Sequence, residues 1–396
     1  MATDDPVILS AARTPFGKFG GGLMSLSAVD LGACAMGEAI RRADMDKGDI
    51  THNIMGCVVQ AGLGQVPSRQ AAFKAGLGRE VTSDTINRVC ASGMRAVALA
   101  GDLIRLGRHE VIVAGGMESM SNAPYYLKGT RWGQRMGHGE LIDGVIADGL
   151  TDPMLNVHMG EHGSSVAAEE NVGRAEQDAW AYRSHQRATA AIDAGYFAEE
   201  IVPVQIAQKK GDPLTVSTDE SVRRDTTLAA LAKLKPVFGA SGTITAGNAP
   251  GLNDGAGAMV VASAAYAKAH SLQPLARILG YGEAAWDTPY LAYTPAMAAQ
   301  NALDRLGLKI SDIDLVEINE AFASVAIISA RRLGVDPEKV NVNGGAVALG
   351  HPIGASGARV LMTLIYELRR RGGGIGIAAI CSGTAQGDAV VVQVGE

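Results

Sequence analysis

The chain has 396 residues, 47% apolar and 19% charged, which excludes a disordered protein and provides for two or three packed domains. A formal net charge of -6 speaks against a nucleic-acid-binding surface. The longest apolar stretch, around residues 255–267, is too short and too rich in Gly and Ala to span a bilayer.

Taken from the start, the segment MATDDPVILSAARTP lacks the basic region and apolar run of a secretory signal. The chain ends in VVVQVGE, not in a peroxisomal S-K-L. The four cysteines, Cys34, Cys57, Cys90 and Cys381, form no C-x-x-C pair and are too few for a disulfide framework. A reduced, cytoplasmic setting is expected.

The chain repeats itself. AIRRADMDKGDI (39–50) matches ALDRLGLKISDI (302–313) at an offset of 263. ASGMR (91–95) matches ASGAR (355–359) at an offset of 264. From there a helical stretch ending LIRLGRHE runs into the strand VIVAGG, and its counterpart ending ELRRRGGG runs into IGIAAI. The final strands also correspond, as NDGAGAMVVAS and QGDAVVVQV. Each half reads as strand, helix, strand, helix, strand, strand, implying mostly parallel sheets covered by helices. The first half covers 1–119 and resumes at 248–272, and the second covers 273–396. Between them lies an insertion, 120–247. It holds a Gly- and Met-rich stretch (KGTRWGQRMGHGE), the helical run RAEQDAWAYRSHQRATAAIDAG and a charged loop ending LKPVF. Insertions of this size usually carry specificity or assembly contacts.

Four motifs carry chemistry. NRVCASGMRAVALA (87–100) sets Cys90 before a helix of small residues, where the helix dipole should lower its pKa and favour the thiolate. GGAVALGHPIGASGAR (344–359) sets His351 in the equivalent turn of the other half, since Cys90 corresponds to Gly354. Histidine beside cysteine is the usual way to activate a thiol. CSGTAQGDA (381–389) puts Cys381 at a strand end, with glycine leaving backbone N–H groups free for an oxyanion. EINEAFA (317–323) delivers Asn319 from the buried strand DLVEI. Alone, each has a plain structural reading: an inert buried cysteine, a surface histidine, a turn asparagine.

Together, and with GGMESMSNAPY (115–125), HMGEHG (158–163) and GTITAGNAPGLNDGAGA (242–258), these motifs resemble the thiolase family over the whole chain. The resemblance implies a duplicated α/β core of two related five-stranded mixed sheets covered by helices, with an inserted loop domain. It implies reversible Claisen condensation of two acetyl-CoA to acetoacetyl-CoA and CoA. Cys90 would be the acylated nucleophile, His351 its proton acceptor and Cys381 the acid/base. Asn319 would hold a water that helps stabilise the enolate, and Gly383 would supply an oxyanion-hole N–H. The biosynthetic branch carries a His-Met-Gly segment in its acyl pocket, matched by His158 and Met159. Leu150, Phe238, Ala246, Ala321 and Phe322 resemble other pocket positions, and Arg223 a position against the adenine end of CoA. CoA enters as substrate, with no tightly bound cofactor and no metal. Acyl-CoA is the expected partner, without nucleic acid or membrane, in a homotetramer whose contacts fall near 125–140. A degradative 3-ketoacyl-CoA thiolase is the runner-up, and a non-catalytic acyl-CoA-binding scaffold the reading from another class. Two departures stand out. Pro250 replaces a serine that would contact the pantetheine arm. CSGTAQG carries Thr384 and Ala385 where the family has glycines.

Overall fold

A computed structural model describes residues 4–239 and 241–395. The first-half elements are β1 (Pro6–Arg13), α1 (Ala28–Arg42), β2 (His52–Gly56), α2 (Pro67–Lys74), β3 (Thr82–Ile86), α3 (Ser92–Arg105) and β4 (Val111–Ser119). Two long helices mark the insertion, α4 (Met159–Glu169) and α5 (Arg174–Asp193), and β5 (Asn253–Ser263) follows it. Then come β6 (Ala276–Ala285), α6 (Thr294–Leu306), β7 (Leu315–Ile318), α7 (Ala323–Leu333), α8 (Ser356–Arg370), β8 (Gly374–Ser382) and β9 (Gln386–Val394). Local chemistry sets the helix starts. The Ser27 hydroxyl accepts from the Asp30 N–H while the Asp30 carboxylate accepts from the Ser27 N–H, a reciprocal cap for α1.

The strands form one ten-stranded mixed sheet in the order β7-β8-β9-β6-β1-β5-β4-β2-β3, with Gly17–Lys18 added against β5. Within the sheet the two halves meet where β1 pairs with β6, Val7 with Arg277 and Ile8 with Ala276. The first half has the expected five strands. The second has four, and its fifth position is a single parallel bridge between Val316 and Val340. The reason is local. Asn341 adopts a left-handed backbone, φ 50°, ending the strand at once. Its side-chain amide then takes over the ladder, accepting from the Ile318 N–H and donating to the Ile318 carbonyl, both at 2.8 Å.

Side chains alternate between the sheet faces and so build separate cores. Ile8, Ile112, Val390 and Val392 pack with α3 and α8 in a central layer. Val7, Val113 and Val260 face α1 and α2 on one outside, and Val316, Ile377 and Val391 face α6 and α7 on the other. Being central, α8 is buried on every side from Ser356 to Leu368.

The insertion is fastened by buried polar groups. Glu320 accepts from Trp180 Nε1 and Ser184 Oγ of α5, each at 2.8 Å, and from Asn341 Nδ2 and the Val347 N–H. Arg13 of β1 is fully buried and pairs with Glu200 at 2.8 Å and Asp219 at 2.7 Å. Among the described residues no helix is long and apolar enough to cross a membrane.

Candidate active site

Cys90 lies in the turn between β3 and α3, just before the cap residue Ala91. The turn is strained, since Val89 sits at φ 45°, an unusual place for a β-branched residue. Side chains hold it there. Asn87 Oδ1 accepts from the Val89 N–H at 2.8 Å, and Ser92 Oγ donates to the Val89 carbonyl at 2.6 Å. The expectation of a depressed thiol pKa is corrected. Burial pushes Cys90 up to about 12, overcoming the backbone N–H groups of Cys90 and Gly383 that favour the thiolate. A helix N-terminus offers less than the desolvation of a fully enclosed sulfur takes away.

His351 occupies the matching turn before α8. Burial, and then the charge of Arg359, hold its pKa down to about 3, so the imidazole is neutral. Its tautomer follows from its neighbours. Ser356 Oγ donates its one proton to the Pro352 carbonyl at 2.9 Å, so it must accept from His351 Nδ1 at 2.6 Å. Nε2 is then left with a lone pair. Asn319, delivered at the end of β7, places Nδ2 3.5 Å from that Nε2, too long for a strong hydrogen bond. Asn319 Oδ1 is buried without a hydrogen-bond partner among the described residues.

Cys381 is near the end of β8, also fully buried. Burial raises its pKa well above the usual value, with the proximity of Cys90 adding to it. Beyond Gly383 the chain turns through Thr384 at φ 59° and Ala385 at φ 49°, the two positions where glycines were expected. The strain of these left-handed positions is borne by residues that carry a Cβ.

These segments converge on a cavity of about 260 Å³. Cys90, His351, Cys381 and Gly383 line it, together with Leu150, His158, Met159, Phe238, Pro250, Ala321 and Phe322. The His158 ring stacks on Phe238 with centroids 4.3 Å apart, and Phe238 meets Phe322 edge-on at 6.5 Å. Gly160 is glycine for a reason: a Cβ there would lie 2.1 Å from the Phe238 ring. Three residues singled out from the sequence are not in the lining. Asn319 lies behind His351, while Arg223 and Ala246 are exposed away from it. The backbone N–H of Arg223 donates to His185 Nδ1 at 3.1 Å. Met120, Ile353, Ser382 and Leu291 also line the cavity and were not picked out. The first three fall inside the quoted motifs, whereas Leu291 has no sequence signal and reaches the site only through packing. Among the described residues no group of three or more His, Cys, Asp or Glu side chains could hold a metal ion.

Family models match nearly the whole chain: "Thiolase, N-terminal domain" over residues 6–265 and "Thiolase, C-terminal domain" over residues 272–394. An acetyl-CoA acetyltransferase of Pseudomonas aeruginosa is 48% identical, covering 98% of this chain and 99% of its own. One from Cupriavidus necator is 50% identical, with coverage of 98% and 99%. The crystal structure of the Bacillus anthracis acetyl-CoA acetyltransferase superposes with a TM-score of 0.97 at 43% identity, over 99% of each chain.

Proposed function

The chain belongs to the thiolase family, and on that premise we propose that it condenses two acetyl-CoA into acetoacetyl-CoA and CoA, and runs the reverse thiolysis, through an acyl thioester on Cys90. The observation that carries this reading is the convergence of Cys90, His351 and Cys381 on one small, mostly apolar cavity.

The resting site is neutral. His351 Nε2, freed by the Ser356 hydrogen bond, takes the proton of Cys90 as sulfur attacks the thioester carbonyl. Negative charge then develops on the carbonyl oxygen, and the N–H groups of Cys90 and Gly383, both directed at the sulfur's surroundings, stabilise it. CoA leaves as a thiol, returning the proton. In the second half-reaction Cys381 passes its thiol proton to His351, which lines the same cavity, and as the thiolate removes the α-proton of the second acetyl-CoA. The enolate oxygen faces His351 and the amide of Asn319, whose Oδ1 has no hydrogen-bond partner among the described residues and can hold a bridging water. The carbanion attacks the acyl-Cys90 carbonyl, and Cys90 departs and regains a proton from His351 as acetoacetyl-CoA forms, restoring the neutral site.

Short acyl groups suit a pocket closed by Met159 and by the stacked rings of His158 and Phe238. Pro250 lines the same cavity without a hydroxyl, so the pantetheine arm loses one hydrogen bond there. We assign exposed Arg223 to the adenine end of CoA and Ala246 to the acyl pocket, on the family resemblance alone. We assign residues 120–247 to specificity and assembly. Trp132 and Met136, 88% and 96% exposed, support a homotetramer contact in that segment. Light scattering showing a monomer at micromolar concentration would sink that part. We place the enzyme in the cytoplasm, with CoA as substrate and no tightly bound cofactor.

The deciding experiment compares CoA-dependent thiolysis of acetoacetyl-CoA with that of a C8 3-ketoacyl-CoA, with Cys90→Ala as blank. Strong preference for acetoacetyl-CoA is expected. Equal or better C8 turnover would reassign the enzyme to degradative thiolysis, and no turnover above the blank on either substrate would reject catalysis.

A further inference from the structure

Glu118, at the end of β4, is fully buried and pairs with no cation among the described residues. Its carboxylate is occupied by backbone donors from both halves. It accepts from the Val58 N–H at 3.0 Å and the Val59 N–H at 3.2 Å, in the loop after β2. Across the interface it accepts from the Gly354 N–H at 2.9 Å, in the turn that carries His351. The approach is close: a Cβ on Gly354 would lie 2.8 Å from Glu118 Oε2, and one on Gly116 2.0 Å from the Gly354 carbonyl.

The internal repeat makes this contact one of a pair. The offset that relates Cys90 to Gly354 relates Glu118 to Ser382, at the end of β8. Ser382 Oγ donates to the carbonyl of Arg88 at 2.6 Å, in the turn that carries Cys90. Each strand end thus holds the strand–helix turn of the opposite half. A merely local role would have each hold its own.

We propose that Glu118 and Ser382 are reciprocal positioning residues, which cross-brace the His351 turn and the Cys90 turn and so set imidazole and thiol in register for acyl transfer. The proposal rests on the reading that Cys90 and His351 carry that transfer. Positioning errors of about 1 Å can reduce turnover by about a hundredfold, while Glu118 is not in the cavity lining, so its loss spares substrate binding.

The test uses the full-length protein with Glu118→Gln and Ser382→Ala, read by peptide-level hydrogen–deuterium exchange and by thiolysis kinetics. A crossed pattern is expected. Glu118→Gln speeds exchange around Val58 and around Gly354 and leaves the peptide containing Arg88 and Val89 unchanged. Ser382→Ala does the reverse. For Glu118→Gln, kcat should fall roughly tenfold or more with KM for acetoacetyl-CoA within about threefold, and for Ser382→Ala by roughly threefold. Uniform loosening, loosening confined to each variant's own half, or wild-type kcat with crossed exchange would overturn the proposal. Should Glu118→Gln not fold, Ser382→Ala decides by the same criteria. A wild-type protein without thiolysis would reject the proposed function, and the exchange pattern would still decide the brace.

Discussion

Cys90 and His351 each rest in the neutral form because each is desolvated, and this sets their response to pH. With the thiol pushed up to about 12, alkylation of Cys90 by iodoacetamide in the substrate-free protein should be slow at pH 7 and climb steadily to at least pH 10. A plateau reached below pH 8 would contradict it. His351 is held down to about 3 in the folded protein, against about 6.5 unfolded. The unfolded state therefore binds the proton first. Stability from this group is complete above pH 6.5 and is lost as pH falls towards 3. Urea midpoints between pH 7 and 4 should fall less steeply in His351→Gln. Thr384 lends itself to a third measurement. Its left-handed backbone costs about 1–2 kcal/mol, so Thr384→Gly should stabilise the protein by roughly 1 kcal/mol in urea unfolding, glycine's own entropy offsetting part of the gain. No gain would mean that its hydrogen bonds to Gly383 and Gln386 outweigh the strain. Residue types and motif spacing were enough to single out Cys90, His351 and Cys381, which the fold brings to one cavity. Their protonation states were not legible, because desolvation is produced by chain segments far away in sequence.

Among the elements, the helices were the easiest to foresee. The stretch that ends LIRLGRHE and the run at 174–195 read as helical and contain α3 and α5. The fifth strand of the second half was not foreseeable, since it survives only as the Val340 bridge, with the Asn341 amide standing in for backbone. An asparagine in NVNGG reads as a turn, and nothing local shows that its side chain will satisfy a strand. The Glu320 clamp was likewise hidden inside NEAFA, where Asn319 drew the attention. Removing its carboxylate strands Trp180 Nε1, Ser184 Oγ, Asn341 Nδ2 and the Val347 N–H in a buried space. Buried donors left unpaired cost about 1–3 kcal/mol each, and partial relaxation lowers the sum. Glu320→Ala should therefore destabilise by roughly 3 kcal/mol or more in urea unfolding. A loss under about 1 kcal/mol would show that α5 is held by apolar packing alone.

At the scale of the whole molecule the repeat becomes a packing arrangement. A Cβ on Gly93 would meet the Ala358 N at 2.9 Å, and one on Gly357 would meet the Met94 N at 2.4 Å. Met94 and Ala358 are repeat counterparts, as are Gly93 and Gly357, so α3 and α8 cross about a local twofold axis and touch by reciprocal contacts. Gly357→Ala, against backbone that cannot swing aside, should abolish folding or lower the melting midpoint by about 4 °C or more, roughly a loss of 3 kcal/mol or more. Gly307→Ala, in open space but at φ 66°, should cost only about 1 kcal/mol. The duplication, the identities of Cys90, His351, Cys381 and Asn319, and the α/β class were determined by the sequence alone, because periodicity, small-residue turns and reactive side chains are local properties of a chain. Tertiary structure alone decided that the two helices cross at glycines, that Leu291 reaches the pocket, that Arg223 stays out of it, and that Cys90 and His351 rest uncharged. Each of these depends on which distant surfaces come together and exclude water, and local sequence does not encode that.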